Sequence, residues 1–381
     1  MRPGRAEISP SLDDLVARTI VLPGVAPGGV VAAGKRLASG FQFAVGSAGV
    51  RSARRPEPVD PATPYDLASV TKPFVAATAA RLERSGTLSF GQRLGDLVPE
   101  LRETPAGPRT LEHLLSHRSG LSAHGALYAP LTTGGTVDPE AAIRLAATWM
   151  RPECLAEPPF EGHPPVYSDL GYLLLGLCLE RAAGAPLEAL VRREISEPLG
   201  LRVGSARELR NESPSFDARV APTETVGFRG GEIVGRVHDE NAWAVSGDAL
   251  SGHAGLFGTA LDVARFGAAM LDALAGRAPE FLSAGEAARL VVPRAGGTLR
   301  AGFDGRAEEG SSAGARFGPR SFGHLGFTGT SLWCDPDADV VAVLLTNRVS
   351  PTRDNVKIRI ARPDVHDALH QAATGLSAGS G

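Results

Sequence analysis

The chain has 381 residues, of which 43% are hydrophobic and 21% charged. This is enough for a large core, arranged as two to three domain-sized units or as one large interrupted unit. The formal net charge is −3, so no overall basic field would recruit nucleic acid or anionic lipid. The start lacks the apolar core of a signal peptide and no later run approaches membrane-spanning length. These features predict a cytoplasmic protein without a membrane span, although a misassigned start codon could hide a leader.

Helix and strand patterns alternate at the beginning of the chain. Ser11 can cap a helix whose apolar spacing extends to Ile20. Residues 28–34 and 41–46 have the composition of two short strands joined as a hairpin. Residues 53–64, rich in arginine and proline, are predicted to form a loop.

The middle of the chain is predicted to be helical. One helix begins near Ser69 and ends before Gly86. The capping residues that predict three further helices are Asp138 before Pro139, Ser168 with Asp169, and Ser283 with Glu286 in a capping box.

The last third changes character. Residues 294–320 are rich in Gly, Ala, Ser and Arg and are predicted to be a surface excursion. Residues 321–327, 331–334 and 340–346 have strand composition with tight turns between them. A final helix is expected from Pro363.

Strands at both ends with helices between them predict one sheet assembled from both termini. The expected fold is an α/β (α+β) sandwich of an antiparallel sheet flanked by helices, with an inserted all-helical part. Residues 1–85 and 290–381 would form the sheet-containing subdomain, and residues 86–289 the mostly helical one.

Several weaker patterns do not support a metal or a cofactor. The three cysteines, which cannot all pair and lack metal-ligand spacing, are Cys154, Cys178 and Cys334; we expect buried free thiols. His113 and His117 lie at helical spacing, but no Glu follows His113, so a wall or surface role is expected. The GxSxG pattern at 310–314 lacks the preceding apolar strand of a nucleophile elbow. No Walker A sequence or GxGxxG followed by a helix is present, so no nucleotide cofactor is expected.

Ser69 and Lys72 form an SxxK element, one of few places where a lysine could act, because the chain has only three. At a helix N-terminus the Ser69 hydroxyl would lie at the positive end of the helix dipole. Lys72, three residues on, would face the same side. If its ammonium is buried, its pKa falls and the neutral amine can accept the serine proton.

Two later segments of the chain follow the SxxK element and carry further candidate site residues. Tyr167 and Asp169 stand at a predicted loop–helix junction, and His324, Gly326 and Phe327 open the C-terminal strands in GHLGFTG. The small residues there would allow close backbone approach of a ligand at a strand edge.

With these motifs the chain resembles the penicillin-recognising serine hydrolases, which include class C-like β-lactamases, D-Ala-D-Ala carboxypeptidases and related esterases. The supporting segments are DLASVTK, LEHLLSHRSGL, PVYSDLGYLLLG, GHAGLFGTALDVARF and GHLGFTGTSLW. The resemblance implies an α/β sandwich with a helical domain, and an active site between the two.

The resemblance also implies roles for individual residues. Ser69 would be the acylated nucleophile, Lys72 its base partner, and Tyr167 the proton relay to the leaving group. Asp169 stands where many members have Asn, and His324 with Gly326 stands in place of a Lys-Thr-Gly triad. The backbone N–H groups of Ser69 and Phe327 would form the oxyanion hole.

Two departures from the family pattern shape the functional expectation. The Asp169 carboxylate would favour protonated Lys72 and shift the base role toward Tyr167. His324 would be near half-charged at neutral pH and would bind a substrate carboxylate weakly. Both changes favour an esterase or peptidase over a true β-lactamase.

We therefore expect a serine hydrolase that acts through an acyl-enzyme on an ester or a D-amino-acid-type amide, without metal or cofactor. Its partner would be a small-molecule or peptide substrate, and no nucleic acid is expected. A catalytically silent penicillin-binding sensor is the competing hypothesis. The sequence leaves the oligomeric state and the substrate open.

Overall fold

The computed structural model describes residues 5–157 and 159–376. The strands are β1 (Arg5–Ile8), β2 (Gly28–Leu37), β3 (Gly40–Ser52), β4 (Arg55–Pro58), β5 (Tyr65–Asp66), β6 (Gly204–Ser205), β7 (Thr225–Val226), β8 (Gly231–Glu232), β9 (Leu256–Gly258), β10 (Asp304–Gly305), β11 (Phe322–Leu325), β12 (Ser331–Asp335) and β13 (Val340–Thr346). The helices are α1 (Pro10–Val16), α2 (Thr71–Arg84), α3 (Leu94–Leu97), α4 (Leu111–Leu115), α5 (Pro139–Ala146), α6 (Asp169–Ala183), α7 (Leu187–Val191), α8 (Glu197–Leu199), α9 (Ala206–Glu212), α10 (Phe216–Arg219), α11 (Glu240–Ser246), α12 (Ala260–Leu274), α13 (Ala284–Val291) and α14 (Ile358–Thr374).

The main sheet joins the two ends of the chain. Its strand order is β1-β3-β2-β13-β12-β11-β10, with β4 also paired to β3. The β2–β13 pair is antiparallel, with Gly29 opposite Thr346 and Lys35 opposite Val340. Only the pair of β1 with β3 is parallel among the paired strands of this sheet that the structure describes. The mixed α/β fold expected from the sequence is confirmed.

Helices cover both faces of this sheet. Because side chains alternate along a strand, Val31 of β2 packs with α1 and α14, while Val30 faces the larger core that contains α2 and α12. Gly267 lets α12 lie directly on the sheet, since a Cβ there would be 2.9 Å from a methyl group of Leu332. The site described below lies at the edge of this larger core.

The N-terminal region differs from the sequence prediction in three details. Ser9 occupies the N-cap position of α1 with Pro10 at N1, so Ser11 lies inside the first turn; proline is favoured at N1 because its missing N–H needs no partner there. Part of the predicted loop 53–64 is strand β4, because β3 extends to Ser52 and the chain folds back onto it. Strand β1 was not predicted.

The C-terminal region also differs. The segment 294–320 is not a surface excursion: Phe303 and Phe317 are buried in it, and Gly302, at φ +82°, lies where a Cβ would meet Ala76 of α2 at 2.2 Å. Helix α14 begins at Ile358 and keeps Pro363 inside it, since apolar residues on both sides of the proline pack against the sheet.

The other expected elements are present. Asp138 and Ser168 cap α5 and α6 through their side chains, and Ser283 forms the capping box of α13. The three cysteines are buried and unpaired. Within the described ranges, no helix is long and apolar enough to cross a membrane. The division of the chain into a sheet subdomain and an inserted helical subdomain stays a prediction.

Candidate active site

Ser69 lies in a short 3-10 turn, Ala68–Val70, directly before α2. The preceding residue Ala68 has φ +47°, a conformation that costs a non-glycine residue about 1–3 kcal/mol and persists only when its surroundings fix it. Here the Asp66 carboxylate accepts a hydrogen bond of 2.8 Å from the Ala68 N–H and one of 2.7 Å from the His238 N–H. Asp66 therefore holds the strained turn that presents Ser69.

Lys72 lies one helical turn from Ser69 and is fully buried. Its Nζ lies 2.9 Å from Ser69 Oγ, 2.6 Å from the Tyr167 hydroxyl, 2.6 Å from Asp169 Oδ1 and 3.2 Å from the His253 carbonyl oxygen. Burial lowers the pKa of Lys72, against the opposing effect of the Asp169 charge. The Asp169 carboxylate favours protonated Lys72, as the sequence predicted, but burial has the larger effect on the Lys72 pKa.

Tyr167 and Asp169 are placed by the beginning of α6. The Tyr167 ring lies 4.8 Å from the His117 ring and 5.9 Å from the His324 ring, between centroids. Burial, and then the nearby Asp169 charge, raise the pKa of Tyr167 well above its usual value, so its hydroxyl keeps its proton at neutral pH. Burial disfavours the Asp169 carboxylate, but Lys72 and His124 hold its pKa below its usual value.

The turn after β11 is fastened to the Ser69 turn. Thr328 Oγ1 donates to the Asp66 carbonyl at 2.8 Å, and Thr330 Oγ1 donates to the Leu67 carbonyl at 2.9 Å. Gly326 lies against both the Thr330 side chain and the Leu67 backbone: a Cβ there would be 1.9 Å from Thr330 Oγ1 and 2.6 Å from the Leu67 carbonyl oxygen. This close approach brings Phe327 beside Ser69, where both line the same cavities.

His324 is placed beside the same cavity but is not half-charged. Burial, and then the charge of Lys72, lower the pKa of His324 to about 3. Its Nδ1 lies 2.8 Å from the Leu325 carbonyl oxygen, so Nδ1 carries the proton of the neutral ring and Nε2 is the acceptor. The expectation of a titrating cation at this position is therefore wrong, because the ring is enclosed.

Two cavities with different charged linings meet at Ser69, and Asp169 lines both. The first measures about 420 Å³ and is lined by Asp239, Glu240 and one arginine, Arg353. The second measures about 350 Å³ and is lined by Arg348, Arg359 and Arg362 with one further carboxylate, Asp304. Of the residues proposed from the sequence, those that line both cavities are Ser69, Asp169 and Phe327, and those that line the second are Tyr167, His324 and Gly326. Lys72 lies beneath Ser69, out of contact with solvent.

Several residues of this site were not predicted from the sequence. His124 lines both cavities, and its Nδ1 lies 3.0 Å from Asp169 Oδ2. His253, whose carbonyl contacts Lys72, also bonds Asp239 Oδ1 through Nε2 at 2.9 Å. His253 belongs to the quoted segment GHAGLFG, but no local pattern marked His124 or the three arginines.

The paired histidines His113 and His117 do not share a helix. Helix α4 ends at Leu115, and His117, at φ +59°, forms the wall beneath Tyr167. Its Nδ1 accepts a hydrogen bond of 3.0 Å from the Ser168 N–H. Among residues 5–157 and 159–376, no three His, Cys, Asp or Glu side chains are grouped as metal ligands would be.

Comparison with known proteins gives a consistent result. The family model described as Beta-lactamase matches residues 12–366. The chain is 30% identical over 323 residues to an N-acetylmuramyl-L-alanine amidase of Bacillus subtilis, covering 77% of this chain and 70% of the relative. It is 29% identical over 322 residues to a putative D-alanyl-D-alanine carboxypeptidase of Escherichia coli, covering 77% and 71%.

Solved structures share the fold. EstCE1, a hydrolase with promiscuous acyltransferase activity, aligns with a TM-score of 0.67 at 23% identity, covering 93% of this chain and all of that one. A class C β-lactamase from Rhodobacter sphaeroides aligns with a TM-score of 0.66 at 20% identity, covering 92% and 97%.

Proposed function

Because the chain belongs to the Beta-lactamase family of serine hydrolases, we propose that it hydrolyses an ester or a D-amino-acid-type amide through an acyl-enzyme on Ser69. One observation supports this most directly: the Nζ of fully buried Lys72 lies within hydrogen-bonding distance of both Ser69 Oγ and the Tyr167 hydroxyl. A nucleophile, a base and a proton relay are thus in contact.

In the proposed acylation, neutral Lys72 accepts the Ser69 proton while Oγ bonds to the substrate carbonyl carbon. The N–H groups of Ser69 and Phe327 would stabilise the oxyanion. The proton then passes from Lys72 through the Tyr167 hydroxyl to the leaving nitrogen or oxygen, and the bond from that atom to the carbonyl carbon breaks. Because burial lowers the Lys72 pKa and raises that of Tyr167, Lys72 is the base and Tyr167 the relay.

Water completes the cycle by the reverse path. Lys72 and Tyr167 remove a proton from a water molecule, whose oxygen bonds to the acyl carbon. The bond from that carbon to Ser69 Oγ then breaks, and Oγ recovers its proton from Lys72. Every proton taken is returned, so the cycle needs no further reactant.

The arginine-lined cavity favours a leaving group that carries a carboxylate. Tyr167 lines this cavity and not the acidic one, so the leaving group would lie on the arginine side. The Arg362 guanidinium donates to the carbonyl oxygens of Gly326 and Thr330, and Arg348 donates to the Phe327 carbonyl. These carbonyl partners leave the positive charges available to an anion. This supports a D-amino-acid-type amide over a neutral ester as the preferred substrate.

The decisive test compares wild type with Ser69→Ala on short-chain aryl esters, D-Ala-D-Ala peptides and a chromogenic cephalosporin. Wild type should turn over the first two and form a fluorophosphonate adduct of one label per chain, detected by mass. Ser69→Ala should lose both, whereas Ser312→Ala, in the GxSxG pattern, should retain both. Failure to label would favour the silent sensor, and rapid cephalosporin turnover would favour a true β-lactamase.

A further inference from the structure

His124 is an exposed side chain on a fixed backbone at the mouth of the site. Its side chain is 65% exposed. On one side of it, the Ala123 carbonyl accepts a hydrogen bond of 3.0 Å from the Asp169 N–H. On the other side, the Gly125 carbonyl accepts one of 2.7 Å from Asn241 Nδ2. The backbone is therefore held on both sides of His124, although solvent reaches its imidazole.

One carboxylate connects this imidazole to the buried lysine. Asp169 Oδ1 lies 2.6 Å from Lys72 Nζ, and Oδ2 lies 3.0 Å from His124 Nδ1. Two groups that can each carry a proton therefore share one anion. Asp169 is buried, so it stabilises one positive charge well, and two cations compete for it.

The two positions differ in their access to water. A charge on Lys72 is fully desolvated, whereas a charge on His124 stays hydrated. For the same total number of protons, the pair can hold a charged Lys72 with neutral His124, or a neutral Lys72 with charged His124. The second arrangement keeps the ion pair with Asp169 and places the cation at the surface. It also leaves Lys72 as a free amine beside Ser69.

We propose that His124 is a positioning residue that takes the positive charge beside Asp169 and so allows Lys72 to act as a neutral base near pH 7. The inference rests on the proposed acyl-enzyme function. No direct transfer is required: Lys72 releases a proton to solvent while His124 Nε2 takes one up, and the total charge is unchanged.

The charges around His124 have opposing effects on its pKa. The Asp169 and Asp239 carboxylates favour its protonated form, and Lys72 opposes it; with the Asp169 hydrogen bond as the largest effect, the pKa of His124 is raised. The further charged groups that line the two cavities beside it are Glu240, Asp304, Arg348, Arg353, Arg359 and Arg362.

The test is the pH profile of kcat/KM on a neutral aryl ester. In wild type, kcat/KM should rise as the doubly protonated pair loses the Lys72 proton while His124 stays charged, and the later loss of the His124 proton should add little. His124→Asn keeps a donor toward Asp169 but cannot take up a proton, so Lys72 should lose its own proton only at higher pH. Each unit by which the rise moves to higher pH lowers the neutral amine tenfold, so we expect about tenfold lower activity at pH 7 and recovery at alkaline pH.

Two variants separate this role from a structural one. His124→Lys supplies a permanent cation beside Asp169 and should restore both the activity at pH 7 and the wild-type position of the rise. His370→Asn changes a histidine paired with Asp335 at 3.2 Å, outside both cavities, and should leave the profile unchanged. Superimposable profiles for wild type and His124→Asn, or an equal loss at every pH, would overturn the proposal.

A titration independent of turnover keeps the two proposals distinguishable. In NMR of labelled histidine, Lys72→Met should leave the pKa of His124 nearly unchanged, because Lys72 is already neutral when His124 loses its proton. A rise of about one unit or more would show that Lys72 holds the charge while His124 titrates, and would refute the proposal even if the enzyme is active. If no ester is hydrolysed but the His124 pKa is raised alike in both proteins, the proposed function fails and the charge placement stands.

Discussion

Tyr167→Phe separates proton relay from packing, because it removes only the hydroxyl. The ring contacts with His117 and His324 do not involve that oxygen. Lys72 Nζ has four oxygens within 3.2 Å but at most three protons to donate, so the loss of one acceptor leaves each N–H with a partner. We therefore expect a loss of stability below about 1 kcal/mol, which lowers Tm by less than about 4 °C.

The expected effect on turnover is much larger. A positioned proton-transfer group contributes about 10²- to 10⁴-fold to the rate, equivalent to about 3 to 5.5 kcal/mol of activation free energy. A pre-steady-state burst on an aryl ester would measure the loss in acylation. Steady-state kcat on the same ester would measure the loss in deacylation. Tm would be measured on the same samples.

The control is Tyr65→Phe, which removes a buried hydroxyl that has no hydrogen-bond partner among the described residues. It should leave kcat unchanged. If Tyr167→Phe retains kcat within about threefold of wild type, the tyrosine is structural and proton transfer does not pass through it. If Tyr167→Phe lowers Tm by clearly more than about 4 °C, the loss of activity reflects a loss of stability and the packing argument is wrong.

Three further predictions concern the arginine-lined cavity and the turn after β11. Because the pKa of His324 is lowered to about 3, the ring is neutral between pH 5 and 8, and KM for a carboxylate-bearing substrate should not follow its titration; a fall in KM toward pH 5 that His324→Gln abolishes would contradict this. Arg359→Gln should instead raise that KM several-fold while leaving KM for a neutral ester unchanged, and equal effects on both substrates would rule out an anion-binding role. Gly326→Ala should destabilise the protein by about 1–3 kcal/mol and lower kcat/KM, because the added Cβ would push the turn away from Leu67. The matched Gly285→Ala in α13 meets nothing within 4 Å, so denaturant unfolding should show no loss of stability.

Local chemistry was enough to predict most elements of the fold. The caps at Asp138, Ser168 and Ser283 lie where the sequence placed them, because a side-chain oxygen that accepts an N–H two or three residues on is a local event. Strand β13 was predicted with its observed bounds, since its first six residues are an apolar run and all seven residues are buried. The segment 294–320 was misjudged because its glycines and small residues resemble a loop, and only contact with α2 shows that they permit close packing.

The sequence by itself determined which groups could react: Ser69 and Lys72 at one helix start, Tyr167 and Asp169 at another, and His324 with Gly326 on a late strand. The tertiary structure decided their electrostatics. Burial made His324 neutral and lowered the pKa of Lys72, and folding brought His124 against Asp169 and three arginines against one wall. The physical reason is that residue identity and short-range spacing are written in the chain, whereas desolvation and the field of distant charges exist only once segments far apart in sequence are packed together.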